Sequence, residues 1–283
     1  MLKKLIILTT LIISIFLLTN ITLAQTENKA YIIGLAIAED ILEDDYGLTL
    51  IDGLFSITKF KKFPGTDNFK VYSRWFGTGK HKIKVQIVDS KNNIVKETKE
   101  EELVFAKNYE TYSFSHDFNN IVFPRAGIYW VQAVLNNKIV FRVPLFVQLF
   151  EEELDFKLES EFPVLVFSIP AIEVYENHNG LQSILGVFEY FAFSKFPSTD
   201  DFIVVNGWYS GDGEFSQHIE VLDPDGNVIY VSEPQIFETG PKSITAIYDD
   251  LTDFLFTKPG IYIVRVYLED EPITEYPILV EQR

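Results

Sequence analysis

Cysteine is absent from all 283 residues, which excludes disulfides, thiolate nucleophiles and cysteine-ligated zinc. Histidine is scarce, with four residues, His81, His116, His178 and His218. Neither Gly-x-Ser-x-Gly nor His-Glu-x-x-His occurs, so the signatures of serine hydrolases and zinc hydrolases are missing. Nucleophilic catalysis needs a base held by a third group. The four histidines fall beside expected turns or on polar strand positions and read as surface residues, so no catalytic residue is expected. Helical periodicity is almost lacking, which argues against an α or α/β body. Positive charge is also short: 24 Lys and Arg stand against 41 Asp and Glu, a net of −17. A field of that sign repels phosphate backbones, so nucleic acid is excluded as a partner, and the acids read as a solvated surface.

What is there is apolar and aromatic, 47% and 15% of the chain respectively, enough for two domains with cores of their own. The N-terminus has the form of an export signal: Lys3 and Lys4, an apolar run over 5–18, and small residues at Thr22 and Ala24. The run of about 14 residues is short of the roughly 20 needed to cross a bilayer. Residues 1–24 therefore read as a signal peptide cleaved before Gln25. The mature chain is expected in the secreted or envelope fraction, touching a membrane only through an uncleaved leader.

The chain repeats itself. Phe63-Pro64-Gly65-Thr66-Asp67-Asn68-Phe69 recurs as Phe196-Pro197-Ser198-Thr199-Asp200-Asp201-Phe202, a shift of 197 − 64 = 133, and Trp75 recurs as Trp208 at the same shift. Gly47-Leu48 matches Gly180-Leu181, Gly53 matches Gly186, Asp89 to Asn93 matches Asp223 to Asn227 after one inserted residue, and Gly127-Ile128-Tyr129 matches Gly260-Ile261-Tyr262. The residues common to both copies are Gly, Pro, Phe, Trp and Tyr, which serve folding. Those present in one copy are free for recognition.

Period-2 alternation, as in Ile83, Val85 and Ile87 against Lys82, Lys84 and Gln86, marks half-buried strands. Turn clusters separate them: Gly77-Thr78-Gly79, Asp89 to Asn93, and Asn136-Asn137, the last a strong hairpin signal. A helical turn is the most that Lys96 to Glu102 supports. The fold expected is all-β: two tandem immunoglobulin-like antiparallel β-sandwiches, 25–150 and 162–283, joined by an acidic linker over 151–161, after the signal peptide. Trp75 and Trp208 are expected to fill the gap between sheets, Trp130 to be core, and the Gly-x-Tyr tyrosines to tie a corner.

Ala36-Ile37-Ala38-Glu39-Asp40, then Gly47 to Phe55, then Phe63-Pro64, resembles the opening of a family of bacterial immunoglobulin-like β-sandwich modules of unknown function. Pro259-Gly260-Ile261-Tyr262 through Val280 is similar to its end. The resemblance implies a fold and no active site. The second copy departs from it in offering Ile169-Pro170-Ala171-Ile172-Glu173 at its first strand.

Two copy-specific loops are the candidates for recognition. One is the acidic loop with Asp40, Glu43, Asp44, Asp45 and Tyr46; the other is Gly211, Asp212, Gly213 and Glu214, with the aromatic pair Trp208 and Tyr209 that leads into it. Aromatics beside flexible polar loops also suit a carbohydrate-binding module. Asp223-Pro224-Asp225-Gly226-Asn227 resembles the start of a calcium loop, but its twelfth position is Pro234 where a bidentate acid is required. The acid pairs Asp44-Asp45, Asp200-Asp201, Asp249-Asp250 and Asp270-Glu271 read as loop residues. No metal or cofactor is expected, and the functional expectation is a non-catalytic module contacting an unknown protein or cell-surface ligand.

Overall fold

In the computed structural model, residues 28–43, 48–151, 162–211, 213–240 and 244–283 are described, so the leader and 152–161 of the expected linker lie outside them. Every regular element among the described residues is a strand. The first copy contains β1 (Ala30–Glu43), β2 (Thr49–Leu54), β3 (Ile57–Phe60), β4 (Gly65–Val88), β5 (Ile94–Glu97), β6 (Glu101–Phe123), β7 (Gly127–Leu135) and β8 (Lys138–Leu149). The second contains β9 (Val164–Ala171), β10 (Glu173–Glu176), β11 (Gln182–Val187), β12 (Tyr190–Phe193), β13 (Ser198–Tyr209), β14 (Gly213–Leu222), β15 (Val228–Val231), β16 (Gln235–Thr239), β17 (Ile244–Phe256), β18 (Gly260–Leu268) and β19 (Glu271–Gln282). Each second-copy strand lies where the repeat places it.

Two immunoglobulin-like sandwiches result. In the second, β9, β13 and β17 form one layer, and β12, β19, β18, β14, β15 and β16 the other. β18 shows why the layers close: Tyr262, Val264, Val266 and Leu268 point inward while Arg265 and Tyr267 point away. In the first copy the same two layers are joined, because β4 and β6 run unbroken from one to the other. Gly77-Thr78-Gly79 is thus a register shift inside a strand, with Gly79 at φ 81°, instead of the expected turn. The second copy breaks at the matching point, between Tyr209 and Gly213.

Other expectations need correction. Lys96 and Glu97 lie in β5 and Glu101 opens β6, so no helical turn forms. Asp40 to Glu43 extend β1 instead of opening a loop. Asp249 lies in β17 and is buried. Two strand pairs are parallel, β3 with β8 and β12 with β19. Each follows a glycine in the left-handed region, Gly53 or Gly186, near which the chain leaves one layer for the other. Trp130 is half-buried on the outer side of β7, under the Arg142 guanidinium at 4.2 Å, because alternation gives the inward position to Tyr129.

The corners and hairpins fall as expected. Tyr129 and Tyr262 each donate a hydroxyl hydrogen bond at 3.0 Å to the backbone oxygen four residues earlier, Arg125 and Lys258. Asn136 and Asn137 take φ of 49° and 64°, the left-handed pair of a two-residue hairpin.

The two sandwiches meet about a pseudo-two-fold axis. β1 pairs with β9 at Gly34 and Phe167, and β2 with β11 at Ile51 and Ile184. Since 34 + 133 = 167 and 51 + 133 = 184, each strand meets its own copy at its own equivalent residue, the self-complementary pattern of an isologous interface. Core residues are exchanged accordingly. Ile33 enters the second core and its equivalent Val166 the first; Phe76 packs against the second while Tyr209 belongs to the first, stacked on Phe146.

Candidate functional site

The two stretches singled out for recognition are placed very differently. Trp208 and Tyr209 end β13 and are buried, so they do not belong to an exposed loop. Gly211 follows at φ 87°, and a side chain there would meet Thr239 and Pro163. Gly213 and Glu214 are exposed at the start of β14, and Asp212 lies outside the described residues. In the acidic stretch, Asp40 is held by Lys70 at 2.8 Å and its carboxyl lies below the usual range because of that hydrogen bond. Glu43 is exposed at the end of β1, and Asp44, Asp45 and Tyr46 lie outside the described residues. Trp75 and Trp208 are both fully buried and offer no face to a sugar ring.

Beneath each tryptophan lies a buried polar group. In the first copy the Trp75 indole donates to Ser73 Oγ at 3.0 Å, and Ser73 Oγ lies 2.8 Å from His116 Nε2. His116 Nδ1 lies 3.4 Å from Glu101 Oε1. The tautomer that serves Ser73 accepts its hydroxyl hydrogen bond at Nε2 and leaves Nδ1–H facing Glu101 without a hydrogen bond to it. Burial pushes the imidazole pKa down to about 4. Serine, histidine and carboxylate in a row have the order of a catalytic relay, but Ser73 and His116 are both sealed in the core.

His116 and His81 are therefore buried, contrary to the surface expectation, while His178 is exposed and His218 half-covered against Tyr267. Both nitrogens of His81 are engaged: Nε2 donates to the Thr78 carbonyl at 2.9 Å, and Nδ1 accepts from Asn136 at 3.0 Å. His81 lines a shallow depression with Tyr31, Asn136 and Lys138, where these bonds leave it no free lone pair.

In the second copy the equivalent of His116 is Asp249, since 116 + 133 = 249. The Trp208 indole donates to Gln217 Oε1 at 2.5 Å, and Gln217 Nε2 donates to Asp249 at 3.1 Å. Gln235 supplies a further bond at 2.9 Å. Burial raises the Asp249 carboxyl. The calcium-like turn is closed on itself, with Asp223 accepting from the backbone of Asp225 and Asn227 as Asp89 does from Lys91 and Asn93. Among the described residues no group of three or more acids or histidines is arranged to hold a metal.

A third polar cluster bridges the copies, and sequence reasoning missed it. Arg74 is fully buried at the junction; its Nη1 donates to the Phe188 carbonyl at 3.0 Å and its Nη2 lies 3.2 Å from Glu189 Oε2. Ser113 donates to Glu189 and lies 2.5 Å from the Tyr72 hydroxyl. Burial disfavours the Arg74 charge, and the Glu189 carboxylate with Tyr72 more than offsets this, holding the guanidinium above its ordinary value. Burial pushes Tyr72 and Tyr276 up to about 12. Room for Arg74 comes from the repeat itself. Arg74 lies beside Gly34; at the matching place in the second copy Phe167 lies over Gly207, where a methyl group would come within 2.4 Å of the ring. One copy has small then large and the other large then small, so they interlock. A second bridge joins Ser183, which donates to Asp52 at 2.7 Å and accepts from Gly53 N–H, with Asn177 and Asn179 on Glu39.

No curated protein matches the chain. Among solved structures it is similar to a CARDB domain from Pyrococcus furiosus determined with di-metal ions, at 16% identity over 46% of this chain and 99% of that one, TM-score 0.24. It is also similar to a glycosyl hydrolase family 2 member from Bacteroides cellulosilyticus, at 13% identity over 75% of this chain and only 28% of that one, TM-score 0.26. Neither likeness bears on activity. One family model matches twice, over residues 25–148 and 169–281, and the chain accordingly belongs to the family of unknown function DUF6941.

Proposed function

We propose that the protein is an exported, non-catalytic recognition or structural module in which two β-sandwiches, locked as one body, present surface to a protein or cell-surface partner. The observation that carries this reading is the use made of the reactive side chains. Ser73 and His116 are spent under Trp75, Gln217 and Asp249 under Trp208, and Arg74 with Glu189 between the copies. Groups consumed in this way specify a core and an interface. The basic Lys3-Lys4 start and the apolar run over 5–18 support export.

The test is retention of a partner by the immobilised mature chain from its own secreted and envelope fractions at physiological salt. Saturable retention that survives Ser73→Ala is expected, because a core hydroxyl is then dispensable for contact. Retention is expected to fall with Glu43→Lys or Glu214→Lys at an unchanged thermal transition. Absence of any retained partner, together with a hydrolytic activity that Ser73→Ala abolishes, overturns the reading.

A further inference from the structure

The two copies share a fold and differ sharply in charge. Residues 25–150 carry 16 − 15 = +1, and residues 162–283 carry 5 − 20 = −15. The difference is strong along one lateral edge. Residues 79–123 hold seven lysines and seven acids, whereas their equivalents, 213–256, hold one lysine and nine acids.

In the first copy this edge is guarded. Lys84 pairs with Glu97, Lys82 with Glu100 and Lys80 with Glu102, each at 2.6 Å, across β4, β5 and the start of β6. Charges on an edge strand prevent another chain from adding to it. With the shift of 134 that holds here, the same three pairs in the second copy become His218 with Val231, Ser216 with Pro234, and Glu214 with Ile236. The charged guard is gone, leaving Pro234 between the two short strands, and Val231 and Ile236 on either side of it are 55% and 69% exposed.

The backbone there is open as well. β15 and β16 lie end to end along the same side of β14, and each pairs with β14 alone. The neighbouring edge, β17, is closed by side chains: Tyr230 donates to the Asp250 carbonyl at 3.1 Å and Gln235 to the Tyr248 carbonyl at 2.9 Å. β16 carries one such bond, from Thr245 Oγ1 to the Glu238 carbonyl at 3.2 Å, and no side chain among the described residues caps the outer edge of Val228–Val231. Around this edge stand Glu214, Glu233 and Glu238, Glu220 being engaged by Arg265 at 3.3 Å, and no described residue between 213 and 256 is cationic.

We propose that the β15–β16 edge docks an extended basic polypeptide segment, with Lys or Arg alternating with apolar residues, as an added strand. Backbone bonds to the open edge supply affinity, Val231 and Ile236 receive the apolar side chains, and the surrounding carboxylates select positive charge. The inference rests on the recognition reading above and narrows it to one partner chemistry and one surface.

Fluorescence anisotropy of the mature chain with a labelled alternating Lys-Val octapeptide tests it. An alternating Glu-Val peptide and a Lys-Val peptide N-methylated at every second residue serve as controls. The Lys-Val peptide is expected to bind at least about tenfold more tightly than either control. Binding is expected to weaken about tenfold in the double variant Val231→Lys, Ile236→Lys, and to be untouched by Ile94→Lys at the first copy's edge. Equal binding of the N-methylated peptide to the wild-type chain reduces the effect to charge attraction and overturns the proposal without requiring any variant to fold. Unchanged affinity in the double variant also overturns it. So does a wild-type dimer that the same substitutions dissociate, which assigns the edge to a second copy. If the edge fails while the envelope-fraction partner is still retained, recognition stands and lies elsewhere.

Discussion

Beneath Trp75 the first copy keeps a histidine, and beneath Trp208 the second keeps an aspartate, at the same place in the same fold. What both copies retain is a requirement, an indole N–H buried between sheets that must find an acceptor. What they do not retain is the residue that meets it. The same holds at the junction, where Gly34 with Arg74 answers Phe167 with Gly207. The duplication fixes backbone geometry and leaves polar chemistry to each copy, so differences between the copies show where selection acts beyond folding.

The junction is where the comparison is broken most severely. Arg74→Ala leaves Glu189 without its cation and opens a hole at the axis, and should cost about 3 to 5 kcal/mol in chemical denaturation. It should also split one unfolding transition into two as the copies come apart. Replacing both charges by apolar residues of similar size, Arg74→Met with Glu189→Leu, is expected to restore most of that stability, since a buried pair costs desolvation that apolar packing does not. If the single variant unfolds like wild type, the ion pair does not hold the copies together.

Acid separates the copies next. His116 has a folded-state pKa near 4, below its unfolded value near 6.5, so the unfolded chain binds the extra proton between those values. Stability supplied by the neutral imidazole is complete above about pH 6.5 and lost as pH falls toward 4, an effect of about 3 kcal/mol. Asp249 has the opposite sign: its folded pKa is raised, so the folded state takes the proton first and acid favours it. Urea midpoints from pH 7 to 4 should therefore fall less steeply in His116→Asn than in wild type, and more steeply in Asp249→Asn.

The tyrosine corners sharpen the comparison from the other side, because they are nearly alike. Tyr129→Phe and Tyr262→Phe each remove one hydroxyl bond to a backbone oxygen and should each cost about 1 kcal/mol, the long 3.4 Å bond from Lys258 N–H to the Tyr262 hydroxyl adding little. Unequal costs would mean that one corner has acquired a role the other lacks.

These corners were legible in the sequence, and so were both buried tryptophans, the Asn136-Asn137 hairpin and the paired Asp89 and Asp223 turns. All but the hairpin recur in sequence, and the hairpin recurs in conformation, with Glu269 and Asp270 in the left-handed region. The junction was not legible. Arg74 and Glu189 are 189 − 74 = 115 residues apart, and each looks like an ordinary surface residue, Arg74 in β4 and Glu189 in the bend between β11 and β12. Gly34 and Gly207, the two traces of the complementary fit, each read alone as a weak strand residue. His116 was misread for a related reason: between Ser115 and Asp117 it appears polar, yet alternation turns it inward. The open edge did leave a signal, the division of charge between the halves, visible once the lysines and acids are assigned to copies instead of to the whole chain.

The smallest effect concerns that edge, and its smallness is informative. Converting the Lys84–Glu97 pair to its second-copy counterpart, Lys84→His with Glu97→Val, removes one exposed ion pair and should change stability by less than about 1 kcal/mol. If surface pairs of this kind contribute so little to folding, stability does not explain why the first copy keeps three in a row. Protection of an otherwise open edge does. The same double substitution should then produce concentration-dependent self-association in sedimentation velocity at low salt, at an unchanged melting temperature. A chain that stays monomeric would leave the ladder with no function in the first copy, and its loss in the second would no longer mark a binding edge.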